Sequence, residues 1–219
     1  MIKDESYWNY ISIVSSSLES RMPRVKCKVL ISGVSGMIGA VLTDILLFSN
    51  RTYGTQYNVI GLGRSKSHAE DMFDEYEKSD YFKFVQHDIN QTIPEVGAVD
   101  YVIHAASNTH PVDYSGDPIG TITANVIGTN NLLEYAVSHG CRRFVFLSSV
   151  EIYGENKGDI ERFDEIYNGY INCNTLRAGY PESKRTGEAL CQAYGKKYNL
   201  DFVIPRLCRV YGTNNVIER

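Results

Sequence analysis

Along this chain, short apolar runs alternate with stretches in which apolar residues recur every three or four positions. That is the signature of buried strands alternating with amphipathic helices. The runs at Val25 to Ile31, Tyr57 to Gly63, Phe82 to Gln86, Val99 to His104, Arg143 to Leu147 and Asp201 to Pro205 predict six strands. Helical spacing appears first at Tyr7, Trp8, Ile11, Val14 and Leu18, a short amphipathic helix expected to pack on the domain as a flap. It continues from Ile38 to Phe48, and a polar surface helix is expected over Ser67 to Lys78. Asp117 and Pro118 open the longest helix as cap and first-turn proline, with Ile122, Val126, Leu133 and Val137 as its core stripe and Gly140 at its end. After a polar loop from Gly154 to Thr175, with a turn around Phe163 to Tyr167, Arg177 to Tyr198 forms the last helix. This alternation predicts an α/β fold, a doubly wound parallel sheet with right-handed crossovers. Residues 1–24 read as an N-terminal helical extension and residues 25–219 as one domain.

The sharpest local feature is Val29 to Phe48, where a strand turns through Gly33, Gly36 and Gly39 into a helix. Such a turn leaves backbone N–H groups at the positive end of the helix dipole, a place for a diphosphate. Gly33 makes the turn, Gly36 lets the diphosphate approach and Gly39 lets helix and strand pack closely, with Ser35, Met37 and Ile38 between and beside them. The alternative is a tight turn with no ligand. In a doubly wound sheet, ligands sit at the carboxyl ends of strands. Arg64 and Ser65, Asp88 and Ile89, His104 with Ala105 and Ala106, and Ser149 all fall at such ends. Gly63 stands where a ribose-binding acid is expected, and Arg64 can pair with a 2′-phosphate; the cofactor is NAD or NADP, leaning toward NADP. Asp88 either accepts from an adenine amino group, with Ile89 on the ring, or caps its own turn. His104 reads either as part of this edge or as a packed strand-end residue.

Composition narrows the classes. The chain has 219 residues, 43% hydrophobic and 22% charged, values of an ordinary globular domain. A net charge of −4 gives no basis for a nucleic-acid or anionic-membrane partner. Cys27, Cys141, Cys173, Cys191 and Cys208 are scattered, without metal-ligand spacing, which suits reduced thiols in a cytoplasmic protein with no metal. Neither a membrane span nor a signal-peptide pattern is expected.

Two Tyr-x-x-x-Lys pairs are present, Tyr153 with Lys157 and Tyr180 with Lys184. The first lies between Gly154 and Gly158 in a loop. The second opens a helix, where residues four apart share a face. A lysine cation there lowers the cost of a phenolate, so Tyr180 can act as a base toward a substrate hydroxyl. Lys184 can also reach the nicotinamide ribose, and Ser149 can steady the same oxygen.

With these residues in hand, the chain resembles the extended short-chain dehydrogenases/reductases, in their nucleotide-sugar epimerase/dehydratase group. The resembling segments are GVSGMIG (Gly33 to Gly39), HAAS (His104 to Ser107), NVIGTNNLLEYA (Asn125 to Ala136), SSVEIYGE (Ser148 to Glu155), YPESK (Tyr180 to Lys184) and PRLCRVYG (Pro205 to Gly212). The resemblance implies a Rossmann-type sheet of order 3-2-1-4-5-6. It also implies Ser149, Tyr180 and Lys184 as a catalytic triad, Asn125 beside the cofactor, Pro205 at its nicotinamide end, and a homodimer. Glu151, and the stretch Arg177 to Glu188, look like UDP-glucuronate decarboxylases and sugar-nucleotide 4,6-dehydratases. In those, transient oxidation at sugar C4 precedes elimination, loss of CO₂ or epimerisation, and Glu151 would be an extra acid/base or order a water. A surface glutamate is its other reading. Val150 stands where the 4,6-dehydratase pattern has an aspartate, which argues against dehydration. The family continues past Arg219 into a substrate lobe, so this lobe is expected to be missing, or its work done by something else. An NADPH-dependent carbonyl reductase and a non-catalytic nucleotide-binding protein remain the alternatives.

Overall fold

The computed structural model describes residues 3–22, 26–109, 111–158 and 160–211. Val25, expected to start the first strand, and Gly212, at the end of the PRLCRVYG segment, lie outside them. Six parallel strands form the main sheet: β1 (Lys26–Ser32), β2 (Gln56–Gly63), β3 (Phe82–Gln86), β4 (Tyr101–His104), β5 (Arg143–Phe146) and, last in sequence, β7 (Phe202–Val203), in the order β3-β2-β1-β4-β5-β7. Counted along the chain this is 3-2-1-4-5-6, the expected doubly wound order. Between β5 and β7, a two-residue strand, β6 (Ser148–Ser149), leaves the sheet and pairs in parallel with β8 (Arg206–Leu207).

Both faces are covered. α1 (Glu5–Arg21) and α2 (Met37–Tyr53) lie together, and α3 (Lys66–Phe73) follows β2. α3 buries Ala69 and Phe73, and the 3₁₀ turn after it buries Tyr76, so this segment is more amphipathic than its polar sequence suggests. On the other side, α4 (Pro111–Gly116) and α5 (Pro118–Thr123) lead through a π turn, Ala124–Gly128, into α6 (Thr129–Ser138). Asp117 caps α5 by accepting from the Gly120 N–H. Leu133 is fully buried as expected, but Ile122 is 40% exposed, so the core stripe does not run the full length of that helix. The π turn is the physical reason: an extra residue in one turn rotates the face of everything before it relative to everything after it. α7 (Gly179–Tyr198) completes the layer. The larger core cluster lies between these helices and the sheet, around Leu30, Val102, Leu132, Phe144 and Phe146.

α1 is integral to the opposite face. Tyr7 and Ile11 are buried against Ile45 of α2, and Ser15 donates to the Ile45 carbonyl. Asp44 of α2 is wholly buried, and Tyr7, Tyr76 and Lys3 all donate to it. A buried carboxylate needs such partners to be tolerated.

Candidate active site

The turn after β1 is shaped by steric limits at its glycines. Gly33 has φ +68°, and a Cβ there would come within 2.6–2.8 Å of the Ala105–Ala106 backbone. A Cβ on Gly39 would strike the Gly33 carbonyl, so α2 can pack this closely on the turn only with glycine there. At Gly36 the same atom would meet only the Gly33 oxygen, at 3.2 Å, and otherwise stand in open space, and this residue lines the cleft. Gly33 and Val34 donate to the Leu62 carbonyl and Gly36 to Gly33, which ties the turn together. Beyond it α2 begins at Met37 and Ile38 with no side-chain cap from Gly36, so its first turn has N–H groups without intrahelical acceptors.

A cleft of about 210 Å³ opens there, lined by Ser35 and Gly36 from the turn, Arg64 after β2, Asp88 after β3 and Ala106 after β4. Ile89 also lines it while packing into the core, and Arg64 and Ser65 are exposed. Ser65 caps α3, and the Asp88 carboxylate accepts from Asn90 N–H, so both hold local turns as well as facing this edge. Ser107 and Asn90 line the cleft too, each with a buried side-chain oxygen that has no protein partner. Neither was singled out from sequence as a cofactor contact; the polar ends of two strands carry the only signal that points to them. His104 does not line the cleft. It is 1% exposed, packed on Phe146, with Nδ1 2.8 Å from Ser32 Oγ, and burial pulls its pKa down to about 3.

Further along the same edge, β6 and the start of α7 bring Ser149, Tyr180 and Lys184 together. Ser149 and Tyr180 are buried, and they share a hydrogen bond. Burial raises the Tyr180 pKa most, the Glu151 and Tyr114 charges raise it further, and the bond with Ser149 lowers it. Lys184 is buried with Nζ 2.8 Å from the Leu147 carbonyl and 6.0 Å from the Tyr180 ring centre. Its pKa falls to about 7 through burial. From the segment packed against α7, Asn125 sits inside the π turn, donates to Ser183 Oγ, and leaves its own buried Oδ1 without a protein partner. Glu151 follows in the 3₁₀ turn Val150–Tyr153 and pairs with Arg177 at 3.0 Å. The other Tyr-x-x-x-Lys pair is split: Tyr153 is buried, whereas Lys157 stands 4.7 Å over the Tyr170 ring.

Pro205 enters through its backbone. Its carbonyl accepts from Ser148 N–H, and Arg206 beside it pairs with Glu188 of α7, whose carboxylate also accepts from Ser148 Oγ. This network, absent from the sequence expectations, locks β6, α7 and β8 together next to Ser149. Among the described residues no cluster of metal-ligating side chains is present, and no helix is long and apolar enough to cross a membrane.

Known proteins share this fold. The model of the NAD dependent epimerase/dehydratase family matches residues 29–219. UDP-glucuronic acid decarboxylase 1 of Danio rerio is 30% identical over 186 residues, covering 85% of this chain and 42% of its own length. UDP-glucuronic acid decarboxylase 2 of Arabidopsis thaliana is 30% identical over 212 residues, covering 97% of this chain and 45% of its own. The chain thus spans less than half the length of either curated relative. Among solved structures, a dTDP-glucose 4,6-dehydratase from Streptomyces venezuelae, with NAD bound, superposes at a TM-score of 0.71 with 27% identity, over 85% of this chain and 57% of that one. The UDP-glucuronic acid 4-epimerase of Bacillus cereus, in complex with NAD, gives 0.64 and 26%, over 84% and 57%. With the family pattern running through the glycine turn, β6 and α7 alike, this chain belongs to the NAD dependent epimerase/dehydratase family.

Proposed function

We propose that this chain carries the cofactor-binding and acid–base parts of an enzyme that modifies a nucleotide sugar through transient oxidation at C4. A UDP-linked uronic acid is the substrate class and decarboxylation the favoured outcome. The observation that carries the reading is the placement of Ser149, Tyr180 and Lys184 on the same sheet edge as the glycine-walled cleft. The relatives named as UDP-glucuronic acid decarboxylases favour that outcome over epimerisation or dehydration.

The residues fit a dinucleotide. Gly36 leaves its cleft side open where a side chain would intrude, the α2 N-terminus meets the diphosphate, and the unpartnered Ser107 and Asn90 oxygens lie in the cleft. NAD is the proposed group, by likeness to the solved relatives. When bound, it supplies a nicotinamide that accepts a hydride from the sugar and gives one back. Tyr180 removes the proton from the C4 hydroxyl, and Ser149 holds the same oxygen as charge develops on it. Burial opposes the phenolate, so the Ser149 hydrogen bond and positive charge brought in on binding have to offset it. Lys184, anchored on Leu147, is placed for the ribose next to the reacting ring. Glu151 orders a water or exchanges a proton at C5 once C4 is a ketone.

Incubation of the protein with NAD and UDP-glucuronic acid should yield a UDP-pentose and CO₂ without net NADH, read by mass spectrometry. Tyr180→Phe should slow this about 10²–10⁴-fold. Failure to form decarboxylated, epimerised or dehydrated sugar, by protein that binds NAD, contradicts the reading. A second reading, an NADP-dependent carbonyl reductase, has one observation in its favour, the exposed Arg64 on the cleft wall. Net consumption of NADPH with a simple ketone would establish it.

A further inference from the structure

Arg177, from the 3₁₀ turn Leu176–Ala178 that leads into α7, is not part of the acid–base set. Its Nη2 lies 3.0 and 3.2 Å from the two carboxylate oxygens of Glu151, and its Nη1 donates to the Tyr114 hydroxyl at 3.1 Å. Tyr114 is buried, and its ring stacks on that of Tyr180, centres 5.1 Å apart and planes at 13°. One guanidinium therefore joins the carboxylate on one side of Tyr180 to the aromatic ring on its face. A planar fork with two fixed anchors is well suited to that task, and a flexible ammonium less so.

We propose that Arg177 is a positioning residue: it holds Glu151 and Tyr114 as one unit and thereby sets the ring plane and the charge surroundings of Tyr180. The inference rests on the reading of Tyr180 and Glu151 as the acid–base groups. The groups facing Tyr180 are Ser149 from β6, Glu151 from the turn after it, Tyr114 from α4, and Lys184 from α7 itself. Of these, the Glu151 charge works against a phenolate, and the Arg177 cation paired with it offsets that charge. The pair is too exposed to matter for folding: the side chains of Arg177 and Glu151 are 64% and 37% accessible. Arg177 variants are accordingly expected to fold.

The test uses protein labelled with ¹³C at tyrosine Cζ, with the Tyr180 signal identified by its loss in Tyr180→Phe. In Arg177→Gln, which keeps a hydrogen-bonding side chain but no charge, the Tyr180 titration midpoint should rise by about half a unit or more. Its neutral-pH signal should move as the stack loosens. Arg177→Lys should restore the midpoint, and in a Glu151→Gln background Arg177→Gln should add no further rise. A folded Arg177→Gln protein in which neither readout moves overturns the inference, as does the same rise with and without Glu151. No readout needs cofactor or substrate, so failure here and failure to bind NAD are separate results.

Discussion

Lys184 stands in the middle of a buried layer with its ammonium on the Leu147 carbonyl, and burial carries its pKa from 10.5 down to about 7. Between those values the unfolded chain holds a proton that the folded chain has shed. Stability contributed at this residue therefore rises with pH across that window, and below about pH 7 the full cost of the buried cation is in place. Urea unfolding should show stability climbing between pH 7 and pH 9, and Lys184→Met should flatten that climb. Equal pH dependence in the two proteins would mean that Lys184 is not held as described. At this scale the sequence is eloquent about residues whose shape is their function and silent about surroundings. Gly33 and Gly39 are legible because only glycine meets the steric demand of the turn there, and Gly36 because it completes their three-residue spacing. That Tyr180 lies under Tyr114, from a separate helix, is not legible, because nothing in local spacing ties the two together.

Among the elements, α1 shows what periodicity can and cannot reveal. Its stripe of Tyr7, Ile11 and neighbours predicted a docked helix, and it packs on α2. The buried Asp44 in the middle of α2 breaks the apolar pattern, and its meaning appears only with Tyr7, Tyr76 and Lys3 around it. Tyr7→Phe removes one donor to that carboxylate while keeping the ring. It should cost about 1–3 kcal/mol in chemical denaturation. A change within error would show that the carboxylate is satisfied without α1. The helix from Pro118 onward teaches the complementary lesson. Its start and cap were readable from Asp117 and Pro118. The π turn is not, because a one-residue slip in helical phase changes no residue type, and so Ile122, in phase with the core stripe by simple spacing, is exposed.

For the whole molecule, the doubly wound parallel sheet and the edge that gathers the site follow from the alternation of runs, whereas the strand order comes from the family resemblance. The same edge holds the glycine turn, the Ser107 and Asn90 oxygens, and the Ser149–Tyr180–Lys184 group. The locking network of Ser148, Glu188 and Arg206 was out of reach of the sequence, since it joins three elements far apart in the chain. What unites these features is the claim that the cleft at the α2 N-terminus receives a dinucleotide. Calorimetric titration of NAD into the purified chain tests that claim most directly. The account predicts a saturable isotherm, lost in Gly36→Asp, where a side chain and a negative charge would stand against the diphosphate. A flat titration with both NAD and NADP, from folded protein, would contradict it.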